Sequence, residues 1–251
     1  MQTVINGVLT NYELINPKAK FPVVVLHGWG QNSGLWLPLA KNLSENFRLY
    51  LLDLPGFGGT KNLADGSGIP EYVKFIKNFV TKNNLKRITL IGHSFGGQIA
   101  AEFALKFPEL LNKSIFIDAA IVRKRKLLTR LKILAAKIIK IPTLFLPNSL
   151  RERILTLTAS RDYAQANPYQ RSVLKKILRQ DIGAKVNLIK VPTEIIWGSD
   201  DHVIPYMGKF LVENIPTANL HVIYPAGHLP HLTHPAKLAT VLNQILEDEP
   251  A

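Results

Sequence analysis

The chain has 251 residues, 47% hydrophobic and 20% charged, with 16 Gly, 16 Pro and no Cys. That supply of apolar residues excludes global disorder and suits one α/β domain or two small ones, while the lack of Cys excludes disulfides, thiolate metal sites and Cys nucleophiles. The net charge is +13, from 31 basic and 18 acidic residues, a balance that points to nucleic acid or an anionic surface until its distribution along the chain is read.

Met1 to Thr10 lacks the basic start and long apolar run of a signal peptide. One long stretch without Asp, Glu, Lys or Arg, Phe21 to Ala40, holds His27, Gln31, Asn32, three Gly and two Pro, which rules it out as a membrane span. A cytoplasmic protein is the expectation. Thr3 to Ile5 and Val8 to Ile15 flank Asn6-Gly7, a hairpin signal. Short β-branched apolar runs then alternate with amphipathic stretches, the pattern of a parallel sheet with crossover helices. The predicted strands are Phe21 to Leu26, Arg48 to Leu52, Arg87 to Ile91, Lys113 to Ile117, Thr193 to Trp197 and Leu220 to Tyr224. Each is nearly all apolar, as strands covered on both faces must be. Helical patterns fill the gaps at Leu35 to Leu43, Glu71 to Thr81, Phe95 to Phe107, Tyr206 to Glu213 and Ala236 to Leu246.

Ala119 to Lys185 breaks the alternation. It reads as successive helices punctuated by Pro142, Pro147 and Pro168, inserted between two strands of the sheet. It also carries 16 Lys and Arg against three acids, a local charge of 16 − 3 = +13, so the remaining residues balance at 15 basic and 15 acidic. Its clearest amphipathic segment is Arg125 to Ile141, with Leu127, Leu128, Leu131, Leu134, Ala135, Ile138 and Ile139 on one face and Lys126, Arg130, Lys137 and Lys140 opposite. A lid over a site has this pattern, and so does a helix lying on an anionic membrane.

Gly92-His93-Ser94-Phe95-Gly96 falls between a predicted strand and a predicted helix. A sharp turn there lifts the Ser94 hydroxyl out of the sheet, and only glycine leaves room at the flanking positions Gly92 and Gly96. The helix start supplies free N–H groups where negative charge develops. Phosphate-binding loops share the Gly-rich strand-to-helix turn, but a Gly-Lys-Ser or Gly-Lys-Thr does not follow here.

With that elbow, four further motifs make the chain resemble the α/β-hydrolase fold superfamily, in its serine-nucleophile subset with an inserted helical cap. His27-Gly28-Trp29-Gly30 is similar to the family's oxyanion loop, and Asp53-Leu54-Pro55-Gly56-Phe57-Gly58 to its next strand-end turn. Trp197-Gly198-Ser199-Asp200-Asp201 with Pro205 resembles the segment bearing the acid, and Ala226-Gly227-His228 with His234-Pro235 the one bearing the base. The resemblance implies a mostly parallel, doubly wound sheet, with residues 1–118 and 186–251 as the core domain and 119–185 as a basic cap or lid. It implies Ser94 as nucleophile, Asp201 as acid and His228 as base, with the Trp29 and Phe95 backbone N–H groups as oxyanion donors. The order Ser, acid, His is the one this fold uses. Asp200 adjoins Asp201, and the family spacing selects Asp201; Asp118, at a strand end, is a further fallback acid.

The other histidines carry less. His27 and His93 flank the site by motif and shape its loops; His202, His221, His231 and His234 read as surface or packing residues, since none has zinc-ligand spacing. The Asp53 turn ends in Gly58-Gly59-Thr60, where the family often has one residue and then Ser. Ser rather than Asp at the elbow argues against the dehalogenase and epoxide hydrolase branches. The leading expectation is a serine hydrolase cleaving a carboxylic ester or thioester through an acyl-enzyme, without cofactor or metal. Carbon–carbon bond hydrolysis and peracid formation use the same triad, and a non-catalytic ligand receptor retaining the fold is the reading from another class. The expected partners are a small acyl substrate, anionic in one version, and peripheral contact of the basic cap with anionic membrane. No nucleic-acid motif accompanies the charge, so no nucleic acid is expected.

Overall fold

The computed structural model describes residues 1–65, 67–122 and 161–247. Its strands are β1 (Gln2–Ile5), β2 (Val8–Ile15), β3 (Phe21–Leu26), β4 (Phe47–Leu52), β5 (Ile88–His93), β6 (Leu111–Ile117), β7 (Thr193–Gly198) and β8 (Ala218–Ile223), which form one sheet in the order β1-β2-β4-β3-β5-β6-β7-β8. β1 and β2 pair antiparallel, β2 joins β4 antiparallel, and every pairing from β4 onward is parallel. The hairpin turn Asn6-Gly7 has φ of 45° and 83°, the positive pair that a tight two-residue turn demands.

The described helices are α1 (Leu37–Ala40), α2 (Ile69–Lys82), α3 (Phe95–Lys106), α4 (Arg161–Gln165), α5 (Pro168–Ile177), α6 (Gly208–Asn214), α7 (Pro230–Thr233) and α8 (Pro235–Glu247). The period-two geometry of a strand sorts its residues between the two layers. Val24 and Leu26 of β3, Tyr50 and Leu52 of β4 and Phe116 of β6 face a core built with α2, α3, α5 and α6. Val23, Val25, Leu49, Leu51, Ile115 and Ile117 face the opposite core, with α1 and α8. The sheet is thus mostly parallel and doubly wound, as the apolar runs predict.

Three local differences have clear causes. α2 starts at Ile69, two residues before the predicted Glu71, because Glu71 Oε2 accepts from Gly68 N–H at 2.6 Å and Pro70 suits the first turn. Pro168 opens a helix: Asn167 Oδ1 accepts from Gln170 N–H at 2.9 Å, and Gln170 Oε1 from Asn167 N–H at 3.0 Å. β8 is half exposed, with Asn219 exposed and Val222 at 50%, because it is the edge strand beside β7.

The ends of the insertion meet where Ile182 N–H donates to Ile121 O at 3.2 Å. α5 lies against the turn after β4: Gln170 Nε2 donates to Gly56 O at 2.9 Å and Tyr169 accepts from Leu63 N–H at 3.2 Å. The amphipathic segment Arg125 to Ile141, with Lys126, Arg130, Lys137 and Lys140, lies outside the described residues, as do Pro142 and Pro147. No described helix is long and apolar enough to cross a membrane.

Candidate active site

The parallel strands end together, and ladder bonds continue one step past their ends. Ser94 N–H donates to Ile117 O at 3.0 Å, Asp118 N–H to Ile196 O at 2.9 Å and Ser199 N–H to Ile223 O at 3.1 Å. These bonds register the loops after β5, β6 and β7 against one another, so side chains distant in sequence come to one edge.

Ser94 occupies the strand-to-helix turn with φ 50° and ψ −108°, the conformation of the first central residue of a type II′ turn, which favours glycine. Its neighbours leave no space for a methyl group. A Cβ on Gly92 would lie 2.4 Å from Gly96 O, and one on Gly96 would lie 2.3 Å from Leu26 O. The elbow is therefore wedged between its own helix and the end of β3.

His228, in the loop after β8, lies between Ser94 and Asp201. Its Nε2 is 3.0 Å from Ser94 Oγ and its Nδ1 2.8 Å from Asp201 Oδ2. Asp201 Oδ1 accepts from the N–H groups of Val203 at 2.8 Å and Ile204 at 3.1 Å, which aims Oδ2 at the imidazole. Burial would raise the Asp201 carboxyl, but the hydrogen bond and charge of His228, with the Ile204 and Val203 amides, hold it below the ordinary carboxylate range. An ionised acid at Nδ1 places the ring proton there and turns the Nε2 lone pair to the serine hydroxyl. Asp200 is exposed, and its carboxylate accepts from the Ser199 hydroxyl at 3.1 Å, away from His228.

Trp29 and Phe95 also meet, with ring centroids 5.6 Å apart. Phe95 is the first residue of α3, so its N–H has no partner within the helix. The loop carrying Trp29 is folded by Gly28 N–H donating to Gln31 Oε1 at 3.0 Å and by Gln31 N–H donating to Gly28 O at 3.3 Å. A cleft of about 740 Å³ opens beside it, lined by residues including Trp29, Gln31, Phe57, Lys61, Asn167 and Gln170. Ser94 and His228 do not line this cleft; Trp29 connects it to the elbow.

The flanking histidines are loop-shaping groups. His27 Nε2 accepts from Leu54 N–H at 3.0 Å while Nδ1–H donates to Gly28 O at 2.7 Å, and burial lowers its pKa to about 4. His93 Nε2–H donates to His228 O at 2.7 Å; burial, then the nearby His231 and His228, hold it well below the usual imidazole range. His231 is fully buried and stacks on Trp36 at 4.4 Å and 7°. Asp53 is buried beneath the neighbouring turn, its oxygens accepting from Ser33 N–H at 2.6 Å, Gly59 N–H at 2.7 Å and Asn11 Nδ2–H at 2.9 Å. Gly59 thus has a use in the altered Gly58-Gly59-Thr60 turn, and Thr60 Oγ1 accepts from Asn11 N–H at 2.9 Å.

The fallback acid lies beside the chosen one rather than in its place. Asp118, with φ 42° at the end of β6, is fully buried beside Asp201 and His228. Among the described residues these three form the one His and Asp group that brings potential metal-ligand atoms within 4.8 Å of one another. Both nitrogens of His228 are already engaged, by Asp201 and Ser94.

A doubly wound sheet with a strained serine elbow and a Ser94-His228-Asp201 hydrogen-bond chain at its C-terminal edge defines a class of protein. Residues 22–235 match the alpha/beta hydrolase fold family, and the chain belongs to it. Among curated proteins it is similar to monoacylglycerol lipase ABHD6 of Bos taurus, 28% identical over 257 residues, covering 92% of this chain and 76% of the relative. It is also similar to a pimeloyl-[acyl-carrier protein] methyl ester esterase of Nitrosomonas europaea, 27% identical over 247 residues, 89% of this chain and 94% of that one. Among solved structures, an esterase of Exiguobacterium antarcticum superposes with a TM-score of 0.76 at 22% identity, covering 98% of each chain. A bacterial membrane phospholipase A reaches 0.79 at 22% identity, covering 98% of this chain and 85% of the other. These two share the fold.

Proposed function

We propose that the protein is a serine hydrolase that cleaves a carboxylic ester or thioester through an acyl-enzyme. The observation that carries the reading is the bridging of Ser94 and Asp201 by His228, at 3.0 and 2.8 Å. A serine hydroxyl is a weak nucleophile at neutral pH, and the imidazole with its ionised partner supplies the base it lacks. Ser94 Oγ attacks the carbonyl carbon as its proton passes to His228 Nε2, and the electron pair displaced onto the carbonyl oxygen is held by the Trp29 and Phe95 N–H groups. The tetrahedral adduct collapses, and the alcohol or thiol leaves with the proton from His228. Water then attacks the acyl-enzyme by the same route, which releases the acid and restores Ser94. The curated relatives named above are a lipase and an ester-cleaving enzyme, which favours esters over the other chemistries of this scaffold.

In this reading residues 1–118 and 186–251 form the catalytic body, and 119–185 form a cap that admits an acyl substrate. The cap's +13 favours an anionic acyl compound or an anionic lipid surface as what approaches Ser94. A fluorophosphonate probe tests the chemistry. Wild-type protein is labelled and Ser94→Ala is not, and nitrophenyl esters of increasing chain length are hydrolysed by the wild type alone. Folded wild-type protein that neither labels nor turns over any ester overturns the proposal.

A further inference from the structure

The proposed mechanism uses one acid, and the site holds two. Asp118 follows β6, the strand next to β7, whose end leads into the Asp201 loop. Its Oδ1 accepts from Gly198 N–H at 2.9 Å, at the root of that loop. Its Oδ2 is buried, and no donor group among the described residues reaches it. The titratable groups facing it are Asp201, from the loop after β7, and His228, from the loop after β8, with ligand atoms of all three within 4.8 Å of one another. Among the described residues no Lys or Arg pairs with either carboxyl group; the ion pair at Asp201 is with His228.

Two buried carboxylates this close, facing a single imidazole, do not both stay ionised, because each charge raises the cost of the other and burial raises both. The donors decide which one keeps the proton. Asp201 receives the His228 ring N–H and the amides of Val203 and Ile204, whereas Asp118 receives the amide of Gly198. Ionisation goes to the acid with more donors, Asp201.

We propose that Asp118 is a positioning residue for the reactive chain: a neutral acid whose Oδ2 proton is shared with Asp201, while its Oδ1 anchors the Gly198 amide from which the Asp201 loop departs. The pair then carries one proton and one negative charge. Asp201 is held toward His228 from both sides, and the imidazolium formed when Ser94 attacks meets a single oriented anion. Burial, opposed by the Gly198 amide and reinforced by the Asp201 charge, pushes the Asp118 carboxyl up to about 8, so the proton is present at neutral pH and leaves as the pH passes that value.

This inference rests on Ser94, His228 and Asp201 acting as a hydrolase triad, and its test separates the two claims. The readout is the rate constant for fluorophosphonate labelling of Ser94 between pH 6 and 10, in wild type, Asp118→Asn and Asp118→Ala, with the thermal midpoint of each protein taken at the same pH values. In wild type the rate falls as pH rises through about 8. Asp118→Ala, which loses both bonds, labels about ten- to a hundredfold more slowly at pH 7, the worth of a hydrogen bond to a charged group. Asp118→Asn can still accept from Gly198 and donate to Asp201; it recovers most of that loss, and its labelling no longer falls near pH 8. A purely structural Asp118 would shift the midpoints and leave the pH profile alone. Wild-type labelling whose profile is unchanged in Asp118→Asn overturns the assignment of Asp118, as does an Asp118→Ala within twofold of wild type. Absence of wild-type labelling instead removes the hydrolase reading itself.

Discussion

His93 donates its Nε2 hydrogen to the backbone carbonyl of His228 at 2.7 Å, across 135 residues of sequence. The residue before the nucleophile thereby holds the loop of the base. His93 presents that proton from a buried ring with centroids 4.9 Å from His228 and 4.7 Å from His231. His93→Ala leaves the carbonyl without its donor and opens a cavity beside the base. The expected result is a fluorophosphonate labelling rate lower by about tenfold or more and an unfolding free energy lower by about 2–3 kcal/mol, read by labelling kinetics and urea denaturation. A stability loss with an unchanged labelling rate would show that the bond matters to folding alone.

Asp201 and Asp200 are neighbours with opposite surroundings. Asp201 is tied to His228, Val203 and Ile204, and Asp200 faces solvent. Asp201→Asn keeps the side-chain shape but offers an amide that favours the wrong imidazole tautomer, so labelling and ester turnover fall by about 10³- to 10⁴-fold. Asp200→Asn stays within twofold of wild type. Equal losses in the two variants would contradict this assignment of the acid.

Ser94 is held in a backbone conformation that suits glycine, so the site stores strain at its nucleophile. Ser94→Gly abolishes labelling and raises the unfolding free energy by about 0.5–1 kcal/mol, since relief of a strained φ outweighs the extra freedom of glycine in the unfolded chain. Gly96→Ala acts in the opposite direction: its methyl group meets Leu26 O at 2.3 Å and His27 O at 2.7 Å, both fixed backbone atoms. It destabilises by about 2–3 kcal/mol or prevents folding. Thermal melts of both variants against Ser94→Ala check the pair.

The sequence carries the body of this fold because its strands are buried on both faces, which writes them as unbroken runs such as Phe21 to Leu26. Such a run says little about neighbours, however. That β6 lies beside β7, and hence that Asp118 meets Asp201, depends on strand order, and a lone Asp after a strand has the same sequence signature as any turn residue. His231 was equally opaque, because a stacked partner such as Trp36, 195 positions away, leaves no local mark. The elbow was legible for the opposite reason: its constraints are local, and glycine at both flanks reports them directly. Pro168 shows the limit of punctuation, since a proline that reads as a break between helices is the first residue of α5.

The basic insertion leads to a salt-dependent prediction. A charge of +13 in residues 119–185 beside a balanced body gives each Lys or Arg near an anionic bilayer about 1 kcal/mol of attraction, screened over about a Debye length. Vesicles containing phosphatidylserine are expected to co-sediment the protein at low salt, with release as salt is raised, while neutral phosphatidylcholine vesicles are not. Replacing Lys126, Arg130, Lys137 and Lys140 with Gln weakens binding at least tenfold and leaves Ser94 labelling by a small soluble probe unchanged. Equal binding to both vesicle types, or to neither, counts against an electrostatic membrane contact.

Buried imidazoles and the buried acid oppose each other in the acid limb of stability. His27, at about 4, and His231, at about 3, are depressed by burial, and His93 lies well below its usual range for the same reason. Near pH 5 the unfolded chain therefore binds protons at His27 and His231 that the folded chain refuses, and His93 acts in the same direction. Their stabilising contribution is full above the unfolded histidine range and is lost as pH falls. Asp118 runs the other way, since its folded value of about 8 means the native state binds a proton that the unfolded chain releases above the ordinary carboxylate range. The imidazoles outnumber the acid, so stability falls on acidification near pH 5, by about 1.4 kcal/mol per pH unit for each proton of net difference. His231→Phe, which keeps the stack on Trp36 and removes one titration, should flatten that slope in urea midpoints measured between pH 6 and 4.5. Asp118→Asn removes the opposing titration and should steepen it. A slope unaffected by either substitution would show that these groups do not govern the acid response.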